Sequence, residues 1–435
     1  MTSHEEEFLD KIQGRKAVVA VVGLGYVGLP LALSFAEVGF QVLGLDVDEG
    51  KVKKIARRES YIGHISVERL RDTANLFSAS TDFQLASQAD AIIICVPTPL
   101  TKEREPDLTY VEGTLKALLP YLRPGQLLSL ESTTYPGTTE EILRPPIESR
   151  GLTVGEDFFL VYSPEREDPA NPDFQTQTIP KVLGGSTESS ARVGLALYSQ
   201  VVERMVQVSS TRAAELTKLL ENIYRAVNIG LVNELKLVAM RMGLDIHEII
   251  NAAATKPFGY TAFFPGPGIG GHCIPIDPFY LTWKARGYGV HTRFIELAGE
   301  INASMPRYVV DKISSALNER SKPLKGATIL LLGMAYKKNV DDMRESPSLE
   351  VLKLLTEAGS LVDYSDPHVP LMPRTRKGDF GLKSVDLTPE TLGSYDAVVL
   401  LTDHRAFDKP FIHKYSKLVI DTRGAFPASP TVVKA

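Results

Sequence analysis

The chain has 435 residues, 43% of them hydrophobic and 23% charged, with 48 Lys and Arg against 53 Asp and Glu for a net charge of −5. That length exceeds one ordinary domain, and the composition supplies two or three cores. No basic block or arm is present, which excludes a general nucleic-acid binder but leaves room for a pocket taking one phosphorylated small molecule.

The longest apolar runs, AVVAVVG and AIIICVP, are strand-length, far short of the ~20 residues of a membrane span. The acidic N-terminus MTSHEEEFLDKIQGRK lacks the apolar stretch of a signal peptide. Two cysteines, Cys95 and Cys273, make no disulfide framework, and a reducing cytoplasm is the expected setting. Cys95, in the apolar run AIIICVP, reads as a buried, inert thiol.

Taken in chain order, residues 17–23 predict a strand, LGYVGLPLALSFAEVG a helix ended at Gly39, and QVLGLDVD a second strand. Continuous rather than alternating apolar strands point to a parallel sheet covered on both faces. Further strands are expected at 91–97, 126–133 and 158–164, so the first region reads as a doubly wound α/β domain. From 211 the pattern becomes helical: one long helix with a possible bend at Gly230, then a helix at DIHEIINAAA. After a Gly/Pro loop, 293–319 reads as helix and SKPLKG as linker. The last segment starts over with strands at ATILLLG, SLVDYSDP, YDAVVLLTDH and KLVIDTRG and a helix at SPSLEVLKLLTEAG. The expected fold is α/β: two Rossmann-like doubly wound domains, 1–210 and 321–435, joined by a central helical domain, 211–320, with a long spine helix. The two α/β ends read as possible distant copies of one another.

Gly23-Leu-Gly25-Tyr-Val-Gly28 follows a strand and opens a helix. Glycines in that spacing allow a tight turn, close approach of a pyrophosphate and close helix–strand packing. The helix N-terminus offers free N–H groups to phosphates. Asp46 ends the second strand 18 residues after Gly28, where a carboxylate accepts from a ribose diol and disfavours a 2′-phosphate. NAD is therefore the expected cofactor.

Cys273 sits in GPGIGGHCIPIDP, residues 266–278. Cysteine chemistry needs a thiolate, which nearby backbone N–H groups favour, and a structural cysteine belongs in an apolar core rather than in such a loop. His272 beside Cys273 raises the question of zinc, but no CxxC or HxxxH partner accompanies them, so no metal is expected. A nicotinamide site plus a nucleophilic cysteine points to aldehyde oxidation through a thiohemiacetal and thioester.

GLGYVGLP, SPERED (163–168), ELTKLLENIYRAVNIGLVNEL (215–235), GPGIGGHCIPIDP and AYKKNVDDMRESP (335–347) together resemble the UDP-glucose/GDP-mannose dehydrogenase family, over nearly the whole chain. The resemblance implies a four-electron oxidation of a sugar C6 alcohol to a carboxylate with two NAD⁺. It implies Cys273 as nucleophile, Lys218 and Asn222 (one helical turn apart) as oxyanion partners, Asp277 orienting water or Lys218, and Glu165 activating the hydrolytic water. UDP-glucose enzymes place a second glutamate four residues after Glu165, where this chain has Pro169, with Glu167 and Asp168 nearby. The implied cofactor set adds Tyr26, Val27, Lys51, Pro97, Thr98, Thr133 and Arg344 to the glycines and Asp46. The implied substrate set is Arg166, Glu167, Lys218, Asn222, Arg225, Tyr260, Phe264, Gly270, Tyr336, Lys337 and Arg423. Its arginines suit a diphosphate.

GHCIPIDP is similar to the branch acting on UDP-N-acetylhexosamines, since UDP-glucose enzymes carry lysine where this chain has Ile276. UDP-N-acetylmannosamine enzymes carry His and Arg about fourteen to sixteen residues before the cysteine, and KPFGYTAFF (256–264) has no such pair. The resemblance thus implies the UDP-N-acetylglucosamine branch, while composition and charge give a cytoplasmic setting without a nucleic-acid or membrane partner and the apolar-rich central helix is the expected dimer seam. The rivals are the same chemistry on UDP-N-acetylmannosamine or UDP-glucose, a two-electron β-hydroxyacid-type dehydrogenase, and a non-catalytic nucleotide-sugar sensor.

Overall fold

A computed structural model describes residues 3–63, 65–101, 103–166, 177–271, 274–373, 378 and 380–435. They fall into two compact bodies, Met1–Glu221 with Phe279–Val290, and Asn222–Pro278 with His291–Ala435.

The first body is built on eight strands: β1 Val18–Val22, β2 Gln41–Leu45, β3 Phe77–Ser80, β4 Ala91–Ile94, β5 Gln126–Leu130, β6 Phe158–Tyr162, β7 Lys181–Gly185 and β8 Met205–Val208. Their order is β3-β2-β1-β4-β5-β6-β7-β8, parallel throughout except that β7 runs antiparallel to β6. Successive strand residues face opposite sides of a sheet, so the continuous apolar runs feed two cores at once. Val19 and Val21 of β1 and Ile93 of β4 enter one cluster, while Ala20, Val22, Ile92 and Ile94 enter the other. The helix Gly28–Glu37 covers the first of these faces and buries nine consecutive residues. Gly39, at φ +98°, turns the chain back toward β2.

The second body holds a five-stranded, wholly parallel sheet: β9 Thr328–Leu332, β10 Leu361–Ser365, β11 Ala397–Leu400, β12 Val419–Asp421 and β13 Val432–Lys434, ordered β10-β9-β11-β12-β13. Ile329 and Leu331 face one cluster, Leu330 and Leu332 the other. Both sheets use one device twice. Asp90 receives Val18 N at 3.0 Å and Lys11 Nζ at 3.1 Å, and Asp396 receives Thr328 N at 2.8 Å and the Lys322 ammonium. At the other end of the first strand, Asp46 receives Leu24 N at 2.8 Å and Asp366 receives Met334 N at 2.7 Å, in each case just after a glycine of positive φ, Gly23 or Gly333.

The spine helix Thr211–Arg241 runs unbroken through Gly230, and the division between the bodies falls within it. Gly230 serves close packing: a Cβ there would lie 3.1 Å from Ala298 Cβ on the helix Arg293–Asn318. Four strands escape the apolar-run pattern. β3 (FSAS) and β8 (MVQV) are short and polar-interrupted, β13 has three residues, and β7 (KVLGG) begins with lysine and ends in two glycines. Those glycines admit neighbouring backbone, since a Cβ on Gly184 would lie 2.1 Å from Ser210 O and one on Gly185 2.5 Å from Ala191 N. The N-terminal segment is an amphipathic helix, Ser3–Gln13, that buries Phe8 and Ile12 and pairs buried Glu5 with Arg192 at 2.6 Å.

Asp366 is the most heavily engaged carboxylate of the second body. Its oxygens also accept from Ala335 N, His368 N and Val369 N and contact His404 Nε2 at 3.1 Å. Burial opposes its charge, but His404 and these N–H groups outweigh burial and hold its pKa below the ordinary value. Asp366→Asn should cost about 2–3 kcal/mol at neutral pH, as for lost hydrogen bonds to a charged group. Because a depressed carboxylate stabilises only while ionised, that difference should shrink as pH falls below about 4. Chemical denaturation of both proteins at pH 7 and pH 3.5 checks this.

Candidate active site

The turn between β1 and the helix Gly28–Glu37 is shaped by three glycines with different tasks. A Cβ on Gly23 (φ +91°) would sit 2.8 Å from Cys95 O, and one on Gly28 would sit 1.9 Å from Gly23 O. Gly25, in contrast, faces open space, with nothing within 4 Å of a Cβ. No side chain caps the helix at Val27, so its N-terminal dipole is offered outward. Asp46, 5% exposed at the end of β2, receives Leu24 N at 2.8 Å, Lys51 Nζ at 2.9 Å and Asp48 N at 2.9 Å. A carboxylate has about four lone-pair sites, so one remains for a ribose hydroxyl. Lys51 is thereby paired with Asp46, and Tyr26 and Val27 lie half-buried on the turn. An open glycine edge, an uncapped helix start and a carboxylate at the next strand end fit a dinucleotide carrying an unphosphorylated ribose.

The loops after β4 and β5 meet beside this turn. Thr98 Oγ1 donates to Thr133 O at 2.6 Å, and Ser132 Oγ to Val96 O at 2.7 Å. Pro97 is exposed. Tyr280, fully buried, donates to Thr98 O at 2.5 Å. Cys95 lies just past the end of β4, packed against the apolar core, where burial and then the Glu131 charge push its thiol pKa well up. An unreactive thiol follows.

Glu165 is held by charge. Its Oε1 accepts from Arg166 N at 2.6 Å and its Oε2 lies 3.4 Å from Lys181 Nζ. Lys181 also contacts Glu131 Oε2 at 3.0 Å, and Glu131 Oε1 receives Tyr198 OH at 2.6 Å. Glu131 and Lys181 are 2% and 4% exposed, a depth at which an unpaired charge is prohibitive. Burial opposes the Lys181 charge, but the Glu131 and Glu165 carboxylates outweigh it and raise its pKa. The antiparallel joint explains the meeting: β7 starts at the edge where β5 and β6 end, so its first residue reaches theirs. Arg166 forms a two-point pair with Glu221, 2.7 and 3.3 Å, and donates to Pro180 O at 2.5 Å.

On the spine helix, buried Lys218 donates to Glu165 O at 2.5 Å. One turn on, buried Asn222 donates to Asp277 Oδ2 at 2.5 Å, and Asp277 is 2% exposed. Arg225 is exposed. Within the second body, the loop before Cys273 packs on residues that follow strand ends. A Cβ on Gly270 would lie 2.7 Å from Tyr336 Cβ, and one on Gly266 2.5 Å from Arg423 Nη1. Tyr336 and Lys337 are half-buried after β9, and Arg423 follows β12 with Nε donating to Leu401 O at 2.6 Å. Tyr260 and Phe264 are 39% and 48% exposed, with Phe264 stacked on His247. Arg344 pairs with Asp342 at 2.7 Å in its own loop. Cys273 and Glu167, with His272 and Asp168, lie outside the described residues.

Sequence reasoning missed Lys181, Glu131, Tyr198 and Tyr280. Lys181 leaves a trace, being a lone charge opening the apolar run before two glycines; Tyr198 and Tyr280 look like ordinary core. Among the described residues no group of three or more His, Cys, Asp or Glu is placed to hold a metal.

Sequence models of the UDP-glucose/GDP-mannose dehydrogenase family match end to end: the NAD binding domain at residues 17–202, the central domain at 212–304 and the UDP binding domain at 330–428. The chain is 36% identical over 391 residues to a UDP-N-acetyl-D-glucosamine 6-dehydrogenase of Pseudomonas aeruginosa, covering 89% of this chain and 91% of that one. It is 35% identical over 394 residues to a UDP-N-acetyl-D-mannosamine dehydrogenase of Methanococcus maripaludis, covering 89% and 86%. The solved structure of a UDP-D-ManNAc dehydrogenase from Pyrococcus horikoshii superposes with a TM-score of 0.85 at 32% identity, covering 95% and 97%. Three matched domains in order, on a fold with a glycine-turn dinucleotide site, show that the chain belongs to the UDP-glucose/GDP-mannose dehydrogenase family of NAD-dependent oxidoreductases.

Proposed function

We propose that the chain oxidises the C6 alcohol of UDP-N-acetylglucosamine to the carboxylate, with reduction of two NAD⁺ and consumption of one water. The observation that carries this reading is the buried polar turn of the spine helix, where Lys218 and Asn222 present an ammonium and an amide already oriented by Glu165 O and Asp277. Donors fixed in place before the reaction are what a developing oxyanion needs. NAD⁺, when bound, supplies the acceptor for the hydride lost at C6 in each oxidation. In this reading Lys218 and Asn222 steady the oxygen on C6. The Cys273 thiolate adds to the aldehyde, the resulting thiohemiacetal is oxidised to a thioester, and Glu165 takes a proton from the water that cleaves it. Lys181 beside Glu165 holds that carboxylate in position.

The domain assignment that goes with this is NAD binding in 1–210, a helical dimerisation segment with the cysteine loop in 211–320, and UDP-sugar binding in 321–435. Arg166, Arg225, Tyr336, Lys337 and Arg423 serve the nucleotide sugar, and Arg344 the cofactor. Apolar exposure along the spine helix, at Leu220 (62%), Leu231 (50%), Leu235 (45%) and Val238 (51%), supports a homodimer through this helix. The N-acetylglucosamine choice is supported by Ile276 in the cysteine loop and by the absence of a His/Arg pair in KPFGYTAFF.

A panel of UDP-sugars with NAD⁺, read as NADH formation, should favour UDP-N-acetylglucosamine with two NADH per sugar. Preference for UDP-glucose refutes the substrate, and one NADH per sugar with an unaltered Cys273→Ala rate refutes the mechanism. Glu165→Gln should release a first burst of NADH and then stall, with a covalent adduct on Cys273 visible by intact-protein mass spectrometry. Steady turnover slowed in proportion from the first cycle, with no adduct, would remove Glu165 from the hydrolytic step.

A further inference from the structure

Lys236 lies on the spine helix four residues after Val232 and three before Ala239, both buried, so helical spacing turns its side chain inward. It is 2% exposed. An ammonium taken out of water needs a partner, yet among the described residues Nζ has no hydrogen-bond partner, and its charge contact is the Tyr308 ring at 5.6 Å. Burial, then the neighbouring Arg423 charge, brings its pKa down to about 7.

A second orphan lies in the same neighbourhood. His247 Nε2 is buried without a partner, its ring abuts Gly424, and a Cβ there would lie 2.4 Å from it. Arg423, the residue before Gly424, uses Nε on Leu401 O and makes no hydrogen bond through its other two nitrogens among the described residues. Asp421 accepts from Arg423 N, Phe426 N and Lys434 Nζ, and Asp403 pairs with Lys409 at 2.9 Å while its buried Oδ1 makes no hydrogen bond among the described residues. The Lys236 ammonium and the two terminal Arg423 nitrogens still outnumber that one open acceptor.

We propose that Lys236 is a substrate-binding residue, which with Arg423 receives the diphosphate of the nucleotide sugar. This rests on the reading of the substrate as a UDP-sugar. The diphosphate is the anionic part of such a molecule, and the Lys236 ammonium with the open Arg423 nitrogens meets its two charges. The site is polarised for this in advance, and the charge it leaves unpaired disfavours the ligand-free protein. The groups facing Lys236 are Arg423, Lys312, His247, Asp421 and Tyr308. Burial holds the His247 pKa below its ordinary value, moves the Tyr308 pKa to about 12 and brings the Arg423 pKa down to about 10, so from pH 7 to 9 the charge that changes most is that of Lys236.

Calorimetric titration of the full chain with UDP tests this. Lys236→Met should weaken UDP binding about tenfold or more and leave NAD⁺ binding unchanged. It should also raise the melting temperature of the ligand-free protein, because an apolar side chain of similar length replaces an unpaired charge. Lys236→Arg should retain UDP binding and remove the weakening that the wild type shows between pH 7 and 9. Unchanged UDP affinity in Lys236→Met, or a lower melting temperature, overturns the proposal. A wild type that binds NAD⁺ but not UDP overturns the UDP-sugar reading and this inference with it.

Discussion

The structure depends on how polar side chains are carried on the inward stripe of the spine helix. Lys218, Asn222, Asn233 and Lys236 are all 9% exposed or less, and a buried polar group is tolerable only when something answers it. Glu165 O answers Lys218, Asp277 answers Asn222, and Asn302 and Gly266 N answer Asn233. Each answer comes from a different loop or helix, so satisfying the stripe fixes several segments at once. The Asn233 contacts, for example, set the start of the cysteine loop at Gly266.

The two sheets solve one problem in one way. A parallel strand that ends in a glycine turn leaves its next N–H pointing toward the neighbouring strand's end, and an aspartate there accepts it: Asp46 for Leu24, Asp366 for Met334. The two carboxylates then diverge. Asp46 keeps acceptor capacity facing the dinucleotide turn, whereas Asp366 is saturated by four N–H groups and His404. One became part of a binding edge and the other a structural knot. The shared anchoring of Val18 by Asp90 and Thr328 by Asp396 at the opposite strand ends strengthens the likeness of the two halves.

Much of this was legible in the sequence, for reasons that also explain the gaps. Strands buried on both faces announce themselves as apolar runs, so β1, β4, β5, β6, β9 and β11 are visible, and β2, β10 and β12 show through shorter apolar stretches. Edge strands such as β3 and β8, and the glycine-rich β7, are not, because their residues answer to neighbours distant in sequence. The glycine turn, Asp46, Lys218 and Asn222 could be singled out by spacing and motif. Lys181 could not be connected with Glu165 and Glu131, because that contact requires knowing that β7 runs against β6. Lys236 was legible in principle, as a lysine on an apolar helical stripe, but only its burial without a hydrogen-bond partner among the described residues distinguishes it from a snorkelling surface lysine.

The reversed β7 has one more consequence. Because β6 ends and β7 begins at the same edge, the chain from Ser163 to Pro180 leaves and re-enters the sheet at one place. Its ends are pinned by Ser163 Oγ on Val182 O at 2.8 Å and by the Lys181–Glu165 contact. The same reversal sets Glu165, Lys181 and Glu131 at one sheet edge, so the charge cluster depends on the direction of a single strand.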